Sequence, residues 1–157
     1  MAKMGPHGRL EQIRCSLNKT PGEVAERAAV SRAAYYDLES DPTEIFMSVS
    51  LRDLQRICGC LGVDAFYLFT GNNRSESDVR YDFESIAELI RQHLKRSGQT
   101  AMEFSDRVGW EIEPFLKDAG AGWGWNVDCL RDVCLALGVR WKLALPIAHT
   151  KIDSSRR

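Results

Sequence analysis

One helix-start signal occurs twice in this chain at an offset of 80 residues, and it constrains the fold more than any other feature. Thr20-x-x-Glu23 and Thr100-x-x-Glu103 are both capping boxes. In such a box the Thr hydroxyl takes an orphan N–H of the first turn and the Glu reaches back to the Thr N–H. Behind these caps, Phe104, Arg107 and Val108 fall on Val24, Arg27 and Ala28. Further on, Asn126, Val127, Leu130, Val133, Cys134, Leu137 and Gly138 fall on Ser50, Leu51, Leu54, Ile57, Cys58, Leu61 and Gly62 at an offset of 76, so the intervening loop is four residues shorter. Caps and core positions that agree at two nearly equal offsets mark tandem copies of one unit.

Each copy reads as helical throughout. Leu10, Ile13 and Leu17 share a helix face by their spacing. Pro21 follows the Thr20 cap at the first helical position, where its missing N–H costs nothing. The helix is short: small Ala29 permits a tight turn, Val30 plugs it, and Ser31 caps the next helix, Arg32 to Ser40, with Tyr35 and Leu38 inward. Asp41-Pro42 ends that helix, because proline disfavours helical backbone at the residue before it. A loop through Val49 leads to a helix capped by Ser50 and closed by Gly62, and a last short helix carries Phe66 and Phe69. Apolar residues recur at three and four throughout, without the alternation of a strand. The expected fold is therefore all-α: two tandem five-helix units over residues 9–69 and 83–148, joined by a polar linker over 70–82 and ending in a flexible tail over 149–157.

Composition narrows the class of protein. No apolar run approaches the roughly 18 residues of a membrane span, and Met1 to Gly8 reads as carrying no secretory leader. An odd five cysteines favour reduced thiols, so a cytoplasmic location is expected. The net charge is −1, evenly spread: residues 1–75 hold nine Lys/Arg and nine Asp/Glu, and residues 76–157 hold twelve and thirteen. Affinity for nucleic acid rests largely on neutralising phosphates, so any such binding here has to use a small footprint.

The string Thr20-Pro-Gly-Glu-Val-Ala-Glu-Arg-Ala-Ala-Val-Ser-Arg-Ala-Ala-Tyr-Tyr-Asp-Leu-Glu39 resembles the helix-turn-helix of the Cro/cI-like (XRE-type) family, and Leu51-x-x-Leu-x-x-Ile-Cys-x-x-Leu-Gly-Val63 is similar to that family's fourth helix and its turn. The resemblance covers residues 9–69 and, weakly, 83–145. It implies a repressor-like reader of double-stranded DNA, with the helix Arg32–Ser40 in the major groove and base contacts from its N-terminal half. Arg32, Ala33, Tyr36 and Asp37 are then the outward positions, since Tyr35 and Leu38 face in. Arg32 is suited to a bidentate grip on guanine, Asp37 to cytosine N4, and Tyr36 to a sugar or a thymine methyl. Amides at the helix starts after Thr20 and Ser31 are suited to phosphates. The resemblance also implies an ion pair, Arg14 with Glu39, that ties the recognition helix to the scaffold. In the second copy the matching residues are Leu94 and Ala119, so both charges are gone together.

The two copies differ in what they can touch. In the first, Pro21 replaces a polar, phosphate-binding residue of the family, and Ala33 and Ala34 leave the recognition face sparse. In the second, Glu111 and Glu113 stand where DNA would approach, and Asp118 falls on the core position Leu38. That copy reads as degenerate, serving folding, dimerisation or partner contact. Trp110, Trp123, Trp125 and Trp141 all lie in it, either as core filling or, for Trp123 and Trp125, as an exposed patch for a protein interface. Cys58-x-Cys60 and Cys129-x4-Cys134 lack zinc-site spacing, His7, His93 and His149 lie in no catalytic triad, and Gly120-Ala-Gly-Trp-Gly124 lacks the Lys-Ser/Thr ending of a phosphate loop. The expectation is a homodimeric transcriptional regulator, not an enzyme, without metal or cofactor. The competing reading is a protein-interaction module of the same fold that has lost DNA binding.

Overall fold

Helix begins earlier than the apolar spacing suggests. In the computed structural model, which describes residues 3–147, α1 spans Pro6–Ser16 with Pro6 in its first turn. Leu10 is its buried residue. Leu17, placed on the same face by its spacing, caps the helix end and is 44% exposed. α2 (Pro21–Ala28) starts where Thr20 Oγ1 accepts the Glu23 N–H at 3.2 Å. It stops at Ala29, whose φ of 58° and ψ of 41° are left-handed. α3 (Arg32–Ser40) starts where Ser31 Oγ accepts the Ala34 N–H at 3.1 Å, and ends at extended Asp41.

The loop after Pro42 contains one further helical turn, α4 (Glu44–Met47). Asp41 Oδ1 accepts both the N–H and the hydroxyl of Thr43 at 2.8 Å, which holds the chain in a turn where helix can start. Its reward is Ile45, fully buried. α5 (Leu51–Leu61) and α6 (Ala65–Thr70) complete the first unit.

The second unit holds α7 (Phe83–Ser97), α8 (Ala101–Val108), the one-turn α9 (Glu113–Lys117) and α10 (Val127–Leu137), with 3-10 turns at Ala119–Gly124 and Trp141–Ala144. The all-α class therefore holds, but not five helices in each unit. The first has six, and the second has four α-helices and two 3-10 turns among the described residues.

The reason lies at Asp118. Pro114 is confined to the first turn of α9. Four residues on, Asp118 adopts φ −147° and ψ 103°, and its carboxylate accepts the Gly120 N–H at 2.9 Å. The chain thus leaves the α-helix and caps a tighter turn. That turn presses so closely on α7 and α9 that a Cβ at Gly122 would lie 2.6 Å from the Phe83 ring and 3.0 Å from that of Phe115.

Buried side chains of both units join in one continuous cluster that reaches from Leu10 to Leu145. Polar contacts stitch the joint. The Leu51 N–H, at the start of α5, donates to Trp125 O at 2.7 Å. Asn126 Nδ2 donates to Met47 O at 3.0 Å, and Gln55 Nε2 to Ile147 O at 2.8 Å. Within the connecting segment 70–82, Arg74 is nearly buried. It pairs with Asp64 at 2.7 Å and donates to the carbonyls of Leu143 and Leu145 at 3.1 and 2.7 Å. The connection is thus pinned to both units. The expected tail, 149–157, lies outside the described residues.

Candidate nucleic-acid interface

The tight turn at Ala29 sets α2 and α3 against each other and leaves a shallow groove between the start of α2 and the outer face of α3. Thr20, Arg32, Ala33, Tyr36 and Asp37 line it with Pro21, Gly22, Glu23 and Glu26. Ser31 stands just outside, its hydroxyl spent on capping α3. Tyr36 is 61% exposed. Arg32 lies folded across Gly22, where an added Cβ would sit 3.2 Å from the guanidinium carbon. The cap hydroxyls of Thr20 and Ser31 are both occupied by backbone N–H groups, so what these helix starts can offer an anion is their remaining amides.

The opposite face of α3 is held by a polar clamp inside the core. Arg14 Nε and Nη2 donate to Glu39 Oε1 and Oε2 at 2.6 and 3.0 Å, a bidentate pair. Arg14 Nη1 donates to Lys19 O at 2.7 Å, binding the clamp to the α1–α2 connection. Tyr35 OH donates to Glu39 Oε1 at 2.8 Å. The side chains of Arg14 and Glu39 are only 12% and 7% exposed. Burial, reinforced by the Glu39 carboxylate, holds the Tyr35 phenol well above its ordinary ionisation range. The hydrogen bond to Glu39 keeps Arg14 firmly protonated against the cost of its burial.

Tyr35, whose spacing marks it only as a core residue, is the third member of this clamp. Its signal was present: at the offset of 80, Tyr35 falls on Phe115, which keeps the ring and lacks the hydroxyl. All three polar members, Arg14, Tyr35 and Glu39, are thus replaced together by Leu94, Phe115 and Ala119. None of these three positions holds a polar side chain in the second unit, where a single one would be buried and unpaired.

The matching face of the second unit is built differently. Its helix is reduced to α9, with Glu113 exposed in the first turn. Glu111 lines a cleft opposite Met47–Ser50 of the first unit. Trp123 and Trp125 do not form an exposed patch. Both are half-buried, with Trp123 edge-on to Phe83 at 4.9 Å and Trp125 against Phe115 at 4.3 Å. These large flat rings find their contact area inside the chain, against the phenylalanines of their own unit.

Charge around the α2–α3 groove is unfavourable for phosphate. Glu23, Glu26 and Asp37 line it against the single guanidinium of Arg32. Cys58, Cys129 and Cys134 are buried, and Cys15 is exposed. Burial pushes the Cys58 and Cys134 thiols up to about 12, and that of Cys129 upward as well. Among the described residues no helix is long and apolar enough to cross a membrane. No protein-family model, curated protein or solved structure matches the chain, so the resemblance to the helix-turn-helix family stands on its motif residues alone.

Proposed function

We propose that the chain is a sequence-specific DNA-binding transcriptional regulator that reads the major groove through α3, with the second unit serving dimerisation or partner contact. The observation that carries this reading is the division of α3 into two faces. One is locked to α1 by a buried bidentate ion pair, and the other presents Arg32, Ala33, Tyr36 and Asp37 at an open groove. A recognition helix needs both properties, because base readout depends on a fixed angle of presentation. One α3 spans too few base pairs to specify a site, so we place two chains on two half-sites.

Selection of bound sequences from a random duplex library at moderate salt tests the proposal. A common sequence should be enriched, and Arg32→Ala should flatten preference at one base position, at a cost of about 1–3 kcal/mol. An Arg32→Ala variant that binds the selected site as tightly and as selectively would remove Arg32 from the interface.

The three carboxylates in the groove favour a second reading, a protein-interaction module that accepts a basic segment. Under it the library yields no preferred sequence. Under the DNA reading, Glu23→Gln with Glu26→Gln should tighten binding and steepen its salt dependence, as removal of charge opposed to phosphate requires.

A further inference from the structure

The evenly balanced net charge conceals a strong local imbalance. A broad depression of about 1220 Å³ lies at the joint between the units, bounded by the N-terminal residues, α6, α10 and the turn Trp141–Ala144. Among the described residues five cations line it, Lys3, Arg9, Arg131, Arg140 and Lys142, and no carboxylate does. Only Arg131 has an acidic partner among the described residues, Asp128 at 2.5 Å. Arg9 donates to the backbone carbonyls of Leu68 and Met4, which hold it in place without cancelling its charge. The floor is apolar, with Phe46, Phe66, Phe69 and Trp141. Leu135 and Met4 line the same depression and are 62% and 47% exposed.

We infer that this groove is a docking site for an acidic peptide segment of another protein, one that interleaves Asp or Glu with large apolar side chains. Charge complementarity decides the sign of the partner. The apolar content comes from Leu135, Met4 and the aromatic floor, which would remain wet under a purely ionic ligand.

Single-stranded nucleic acid shares the charge but needs free ring faces on which bases stack. Here Phe46, Phe69 and Trp141 pack edge-to-face on one another. Cations lie over a face of three of the four rings: Arg131 over Phe46, Arg74 over Phe66 and Lys142 over Trp141, at 5.4, 5.1 and 5.6 Å. Rings arranged this way offer edges and cations, which suit carboxylates and aliphatic side chains. The site is separate from the α2–α3 groove and does not depend on what that groove binds.

The test is fluorescence anisotropy with the full chain and a labelled peptide of Asp, Glu, Leu and Phe, about a dozen residues long. The controls are a peptide with Gly in place of Leu and Phe, and a single-stranded oligodeoxynucleotide of the same charge. The parent should bind the first peptide best. Arg140→Glu with Lys142→Glu should weaken that binding by about tenfold or more, and added salt should weaken it further. Leu135→Ser, a change at an exposed position, should weaken it without altering the net charge, while Arg32→Ala should leave it unchanged. Far-UV circular dichroism and thermal midpoints establish that each variant is folded. The inference is overturned if the parent ignores the peptide, if folded variants bind it equally well, or if the oligonucleotide binds more tightly.

Discussion

The clamp of Arg14, Glu39 and Tyr35 supports a quantitative prediction. Leucine at position 14 would leave the Glu39 carboxylate buried with one remaining partner, the Tyr35 hydroxyl at 2.8 Å. Alanine at position 39 would leave the Arg14 guanidinium with the Lys19 carbonyl at 2.7 Å. Breaking a buried pair costs about 3–5 kcal/mol when the survivor is uncompensated. The single retained hydrogen bond puts each variant near the lower end, at about 3 kcal/mol. Arg14→Leu with Glu39→Ala leaves no stranded charge and reproduces the pairing of Leu94 with Ala119 in the other unit. Its cost should be about 4 kcal/mol, mostly lost packing and the loosened Tyr35 hydroxyl. The double-mutant cycle in urea unfolding should then give a coupling near 2 kcal/mol (about 3 + 3 − 4), against about 0.2–1 kcal/mol for exposed pairs. Additivity to within about 0.5 kcal/mol would refute the claim that the two groups depend on each other.

Ala29 carries a left-handed backbone that its counterpart Gly109 adopts at φ 80° without strain. Ala29→Gly should therefore stabilise the chain by about 0.5–1 kcal/mol, the relief of left-handed strain exceeding the added chain entropy; a lower thermal midpoint would contradict this. Gly122→Ala should destabilise the second unit and perturb tryptophan emission, because its Cβ would fall 2.6 Å from the Phe83 ring. Unchanged emission and an unchanged midpoint would show that the turn has room to move. At pH 8 a thiol reagent should label Cys15 promptly and reach Cys58, Cys129 and Cys134 only on unfolding, since burial suppresses the reactive thiolate. The same raised ionisation contributes stability that is complete below the ordinary thiol range and is lost as pH climbs toward about 12, so the midpoint should fall steadily over that window.

What the sequence discloses here depends on how local the determining physics is. Thr20, Ser31, Ser50 and Asn126 each cap the helix that follows them, because a cap needs only a side chain and an amide two or three residues away. α4 was not legible: Asp41 and Thr43 form a turn whose gain, burial of Ile45, depends on distant parts of the chain. The fate of Trp123 and Trp125 depended likewise on Phe83 and Phe115, which reach them only after folding. Arg74 read as one polar residue among many in a connecting stretch, and its partners Leu143 and Leu145 lie about 70 residues away in sequence. Charge was misleading in the opposite sense. Balanced counts in both halves gave no hint that five cations would gather around one depression.

The joint at Leu51 and Trp125 has a consequence for how the two halves can change over time. When two identical chains pair about a two-fold axis, every substitution appears on both sides at once, so neither partner can specialise alone. Here the contacts Leu51 with Trp125 and Asn126 with Met47 join two stretches of one chain, so a substitution on one side leaves the other side as it was. Position 35 can keep its tyrosine while position 115 becomes phenylalanine, and α9 can shrink to a single turn while α3 keeps its length. The shared core bears the stability of both. A single polypeptide thereby holds two units of unequal build on one core, an asymmetry closed to a homodimer built from one such unit.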